Sequence, residues 1–89
     1  METLQTTLLY RFPKTNDEEV RFSLKRSRDR VFFDIRVWFC ASGTSDYHPT
    51  RKGLYIPVEK MEAFRQGMKA LDQGLEASEG PAESVIQDA

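Results

Sequence analysis

The 89-residue sequence predicts an α+β fold in which four antiparallel strands precede one C-terminal helix, in the order β-β-β-β-α. Three observations predict it. Arg30 to Cys40 is the longest run dominated by β-branched and aromatic residues, and no Gly or Pro interrupts it. Val20 to Arg26 alternates apolar and polar residues immediately before it. After Pro57 the apolar period lengthens: Met61, Phe64, Met68, Leu71 and Leu75 recur at spacings of 3, 4, 3 and 4.

The elements follow in order. Thr6 to Phe12 is a first strand, stopped at Pro13, and Lys14 to Glu19 is a polar turn. Val20, Phe22 and Leu24 share one face of the second strand, and Arg21, Ser23 and Lys25 the other. Ser27-Arg28-Asp29 reads as a hairpin connection without the Asn-Gly signal. On the long strand Val31, Phe33, Ile35, Val37 and Phe39 make an apolar face, while Arg30, Phe32, Asp34, Arg36, Trp38 and Cys40 mix charge with aromatic rings. Ala41 to Thr50, with Gly43, Asp46 and Pro49, reads as a loop, and Leu54 to Ile56 as a short fourth strand. Pro57 suits the first turn of the helix, and Gly74 marks its expected end. The helical stripe can pack on the sheet, serve as a helix–helix seam, or do both. These elements give one domain over residues 1–75. Residues 76–89, acidic and poor in large apolar side chains, are expected to be a disordered tail.

Composition excludes several classes. No run approaches the roughly 20 apolar residues of a membrane helix, and no basic-then-apolar leader is visible. A cytoplasmic, nucleoid-associated protein is expected, or a nuclear one from a eukaryote. The single cysteine rules out an internal disulfide and a cysteine-cluster metal site. The single histidine, His48, sits in the polar segment beside Pro49. Neither a phosphate loop nor a nucleophile motif occurs. Asp34 reads as a partner for Arg36 or a neighbouring Arg rather than as a general base. We therefore expect no enzyme and no cofactor.

The net charge of −1 hides an asymmetry. Residues 1–56 hold ten Lys/Arg against seven Asp/Glu, and residues 57–89 three against seven. Between Val20 and Lys52 the ratio is eight to three. Local charge sets a binding field, whereas whole-chain charge bears mainly on solubility. Single-stranded nucleic acid is held by cations along its backbone and by aromatic rings under its bases. The candidates are Lys25, Arg26, Arg28 and Arg30 around the hairpin, Arg36, Trp38 and Phe39 on the long strand, and Arg51 with Lys52 before the fourth. Each has a plainer alternative: solvated surface for the cations, core packing for the two rings. Grouping on adjacent strands favours the binding role. Duplex reading is disfavoured, because no helix rich in Arg, Asn and Gln is present to enter a major groove.

At these residues the chain resembles the transcriptional positive cofactor 4 family of single-stranded-DNA-binding coactivators. The resemblance rests on Val31-Phe32-Phe33-Asp34-Ile35-Arg36, the pair Trp38-Phe39, Pro49-Thr50-Arg51-Lys52-Gly53 and the strand-to-helix step Leu54 to Val58. It spans roughly Val20 to Leu71. It implies a homodimer of curved four-stranded sheets, each backed by a helix, that form channels for single strands. Lys25, Arg28, Arg30, Arg36 and Lys52 would then hold phosphates, Arg51 would add a contact, and Phe39 would stack a base. Ser27 stands where the family often carries a second stacking aromatic. Alternation, however, puts Trp38 rather than Phe39 on the face of Arg36, and a bulge near the strand end would reconcile the two. The function expected is sequence-tolerant single-stranded DNA binding in transcription, replication or repair, with transcription or replication proteins as further partners. The alternatives are a protein-interaction module contacting a polymerase or regulatory partner, and an RNA binder.

Overall fold

A computed structural model describes residues 4–78. Strands β1 (Gln5–Pro13), β2 (Glu18–Ser27), β3 (Arg30–Cys40) and β4 (Tyr47–Pro57) form one antiparallel sheet in the order β1-β2-β3-β4. A short 3-10 turn over Val58–Lys60 leads into helix α1 (Met61–Ala77). The chain divides into two compact units after Val58, the sheet and the helical segment. Four antiparallel strands and one following helix are thus as the sequence predicts.

The strand boundaries differ in instructive ways. β4 begins at Tyr47 rather than near Leu54, so His48 and Pro49 lie in a strand and the loop shrinks to residues 41–46. Pro49 is tolerated because β4 is an edge strand, where an absent N–H can face away from the ladder. Pro13 likewise is the last residue of edge strand β1 instead of lying just beyond its end. Pro57 ends β4 opposite Phe32 and does not open the helix. Gly74 does not stop α1, which runs to Ala77, where the Ser78 N–H bonds back to the Gly74 and Leu75 carbonyls. The expected tail therefore overlaps the helix at residues 76 and 77, and from residue 79 onward lies outside the described residues.

Register assigns the faces. The β2–β3 ladder is continuous from Ser27↔Arg30 to Glu18↔Phe39, so alternation holds along all of β3. Val20, Phe22 and Leu24 join Val31, Phe33, Ile35 and Val37 on the apolar face. Phe33 is its most buried member. Tyr10, Phe12 and Phe22 extend that face into β1 as an edge-and-tilted aromatic cluster with centroids 5.9–6.4 Å apart. Two irregularities interrupt the ladders. Leu9 is an extra residue in β1, between Leu8↔Ser23 and Tyr10↔Phe22. In β4 the pairing jumps from Arg36↔Gly53 to Trp38↔Pro49, leaving Thr50, Arg51 and Lys52 opposite Val37 alone.

Gly53 is demanded by that crossing. A Cβ there would lie 2.7 Å from the Ile35 carbonyl oxygen and 2.9 Å from the Arg36 Cα, and neither backbone atom can swing away. Gly53→Ala should therefore cost about 1–3 kcal/mol of stability by prising β4 from β3. Chemical denaturation checks this, and an unchanged midpoint would show that the strands separate freely.

Candidate nucleic-acid interface

The polar face is a set of cross-strand rows. Lys25 on β2 faces Phe32 on β3, which faces Pro57 on β4. The next rows are Ser23–Asp34–Tyr55, Arg21–Arg36–Gly53 and Glu19–Trp38–Pro49. Charge and aromatic rings therefore alternate across a single surface. Phe32 and Tyr55 stack face to face, with centroids 4.6 Å apart and planes 8° from parallel. The Arg30 guanidinium lies 5.0 Å from the Phe32 ring.

Two ion networks organise the face. In the first, the buried carboxylate of Glu19 accepts hydrogen bonds from Arg21 and Arg11. The Arg21 guanidinium then lies 4.3 Å from the centre of the Trp38 ring and 5.2 Å from that of Tyr47, within cation–π range. In the second, Arg36 donates through Nε and Nη2 to the Asp34 carboxylate, at 2.8–3.2 Å, and through Nη1 to the Thr50 carbonyl at 2.9 Å. Hydrogen bonding to Asp34 raises the Arg36 guanidinium above its ordinary value, so it stays charged. Asp34 is only 3% exposed, and this partner offsets the cost of burying its charge.

The second network also shapes the β4 irregularity. Besides accepting from Arg36 through its carbonyl, Thr50 donates its hydroxyl to the Val37 carbonyl at 2.8 Å. The same hydroxyl accepts the Lys52 backbone N–H at 3.1 Å. The bulge is thus pinned from both sides, with Arg51 and Lys52 exposed.

The sequence candidates separate into groups. Lys25, Arg30, Arg36 and Trp38 share the polar face, with Lys25 and Trp38 half-buried and Arg30 exposed. Arg28 is the first residue of the two-residue turn between Ser27 and Arg30. Arg51 and Lys52 project from the bulge. Arg26 and Phe39 fall on the opposite face, paired with Val31 and Glu18 respectively. The bulge expected to bring Phe39 round lies in β4, and β3 itself stays regular. Phe39 is 43% exposed, whereas Trp38 sits beneath Arg21. Sequence reasoning missed the Arg21 contact with Trp38 and the Phe32–Tyr55 stack. Both depend on register across strands, although Arg21 was already legible on the same face as Lys25.

Arg28 has φ 44°, a conformation that costs a side chain bearing a Cβ about 1 kcal/mol or more. Asn tolerates it. Arg28→Asn should leave stability unchanged or raise it by up to about 1 kcal/mol. Chemical denaturation checks the sign. A clear loss of stability would mean that Arg28's contacts outweigh its backbone strain.

A model of the Transcriptional Coactivator p15 (PC4) family matches residues 14–67, more than half of the chain. The chain belongs to this family. PC4-family domains are non-catalytic nucleic-acid-binding modules, in keeping with the DNA-binding coactivator character expected from the sequence. The matched span contains both hairpins of the polar face, the bulge and the start of α1. Among solved structures, the chain is similar to a PC4 homolog from Burkholderia pseudomallei in two crystal forms. The tetragonal form gives a TM-score of 0.67 at 24% identity, covering 76% of this chain and 98% of that one. The orthorhombic form gives 0.64 at 26% identity, covering 83% and 92%. A bacteriophage T5 homolog of the eukaryotic coactivator PC4, implicated in recombination-dependent DNA replication, gives 0.55 at 26% identity and covers 85% and 81%. Comparison with curated proteins gives no significant match. No described helix is long and apolar enough to cross a membrane.

Proposed function

We propose that this chain binds single-stranded DNA with little regard to sequence, acting as a homodimer in transcription or in replication and repair. The observation that carries this reading is the placement of Lys25, Arg30 and Arg36 on one ring-bearing face of a PC4-family sheet. That face lies between a hairpin turn bearing Arg28 and a bulge exposing Arg51 and Lys52. Lys25, Arg28, Arg30, Arg51 and Lys52 take phosphates, with Arg26 beside the hairpin. Arg36 fixes the bulge through the Thr50 carbonyl. Of the two candidate rings, Trp38 lies on this face and becomes available if Arg21 swings aside, whereas the more exposed Phe39 lies on the opposite face. A replication role draws on the T5 homolog, which is implicated in that process.

Dimerisation is supported by the exposed stripe on α1. Met68, Leu71 and Leu75 are 51%, 55% and 63% exposed, and removing such a stripe from water favours association. Sedimentation at two concentrations tests it directly.

The deciding experiment is fluorescence anisotropy of a labelled oligothymidine of about 20 nucleotides, titrated at two salt concentrations with a duplex competitor. Single strands contribute a slope of about −0.7 per phosphate neutralised, so the five cations above predict roughly −3 to −4 per protomer on a log–log plot. A flat salt response, or no binding at low salt, would leave the protein-interaction reading in its place. Stronger competition by oligouridine than by oligothymidine would redirect the assignment to RNA.

A further inference from the structure

We infer that Tyr55, backed by Phe32, is a base-stacking platform of this chain; the inference rests on the single-stranded DNA reading above and adds a contact that reading does not include. Tyr55 lies on the polar face, opposite Asp34 and one row from the Arg36–Gly53 pair. It is 47% exposed although it belongs to a strand and stacks on a neighbouring ring. The Tyr55 ring stacks near-parallel on Phe32, and Arg30 contacts the Phe32 ring from the preceding residue row. The platform is thus already assembled without a ligand, which lowers the ordering cost of stacking.

The neighbourhood specifies the occupant. Gly53 contributes no side chain to the row beyond Tyr55, and the other member of that row on β3 is Arg36. The irregularity with exposed Arg51 and Lys52 follows next along β4. Lys25 faces Phe32 from β2. A flat, uncharged ring with cations in the flanking rows fits a nucleobase joined to a phosphate backbone, since every base has a π-face and every linkage a negative charge. An apolar peptide would meet cations in both flanking rows, and an acidic peptide would leave the ring stack unused. The stack also provides what Ser27 lacks. The hairpin tip carries no ring, whereas the Phe32–Tyr55 pair is built into the sheet on the same face as Lys25 and Arg30.

The test compares wild type, Tyr55→Ala and Tyr55→Phe against oligothymidine and against the same strand carrying abasic sites. Photo-crosslinking of wild type to a 5-iodouracil oligonucleotide runs in parallel. Tyr55→Ala should weaken oligothymidine binding by roughly five- to 150-fold with an unchanged salt slope, because a stack and not a phosphate contact is removed. Tyr55→Phe should bind within about twofold of wild type, and the crosslink should map to Tyr55 or Phe32. Abasic sites should weaken wild type more than Tyr55→Ala. If wild type binds tightly but Tyr55→Ala matches it and no crosslink maps there, the platform is refuted while the DNA-binding reading stands. Equal losses in the Phe and Ala variants would assign the effect to the hydroxyl and also refute it. A shift of Tyr55→Ala from dimer to monomer in sedimentation would place the ring in a contact between copies and overturn the inference. If wild type binds no oligonucleotide, the reading beneath it fails first.

Discussion

Arg36→Ala should lower stability by about 3 kcal/mol, a large effect for one residue on the surface of a small sheet. The loss comes from the partner left behind. Asp34 is 3% exposed, and Arg36 donates to both of its carboxylate oxygens. Removing the guanidinium strands a buried anion, which typically costs about 3–5 kcal/mol. The lower end applies because the Arg36 side chain keeps 20% of its exposure and water reaches the pair. For a domain of this size the expected fall in melting temperature is roughly 12–24 °C. A double-mutant cycle isolates the cause. Adding Asp34→Ala to Arg36→Ala should cost little more, since the stranded charge is then gone. If Arg36→Ala costs less than about 1 kcal/mol, the pair is a screened surface interaction and this account is wrong. Arg36 is consequently a poor probe of DNA binding by itself, because its loss also releases the Thr50 carbonyl and loosens the bulge.

How much of this could be read from the sequence depends on the distance over which the signal acts. Alternation along Arg30 to Cys40 fixed the strand and its two faces, and β3 spans those same residues. The Asp34–Arg36 pair was legible because residues two apart on a strand share a face, and the structure shows it at hydrogen-bond distance. The lengths of β2 and β4 were less legible. Pro49 reads as a strand breaker until β4 is known to be an edge strand, a property of the whole sheet. The stack of Tyr55 on Phe32 was hidden for a related reason: the residues are 23 positions apart in sequence, and only the β3–β4 register brings them together. The three-residue excursion at Thr50 to Lys52 was not legible, because the Pro-Thr-Arg-Lys-Gly run read as loop and strand entrance and its shape comes from hydrogen bonds supplied by β3. Periodicity also found the α1 stripe, though the weak helix former Gly74 was overridden, because one glycine costs only about 1 kcal/mol among good helix formers.

The sharper probe of function is Arg51→Ala with Lys52→Ala. Both side chains are exposed, and the hydrogen bond that Lys52 contributes to the bulge uses its backbone N–H, which alanine retains. Folding should change by no more than about 0.5 kcal/mol, as for most surface substitutions. Binding should change far more. Losing two phosphate contacts should make the salt slope shallower by about 1.4, and near 0.1 M salt counterion release alone corresponds to roughly 25-fold in affinity. Affinity and slope must move together, since both measure the same released ions. A fall in affinity at constant slope would mean that the bulge acts through shape or packing rather than charge. The control is Lys60→Ala with Lys69→Ala, which removes equal charge from the helical segment. If that variant loses as much affinity as the bulge variant, net charge governs binding and the polar face has no privileged role. If it binds like wild type while the bulge variant does not, the cations act by position, at the edge strand where the irregular segment presents them.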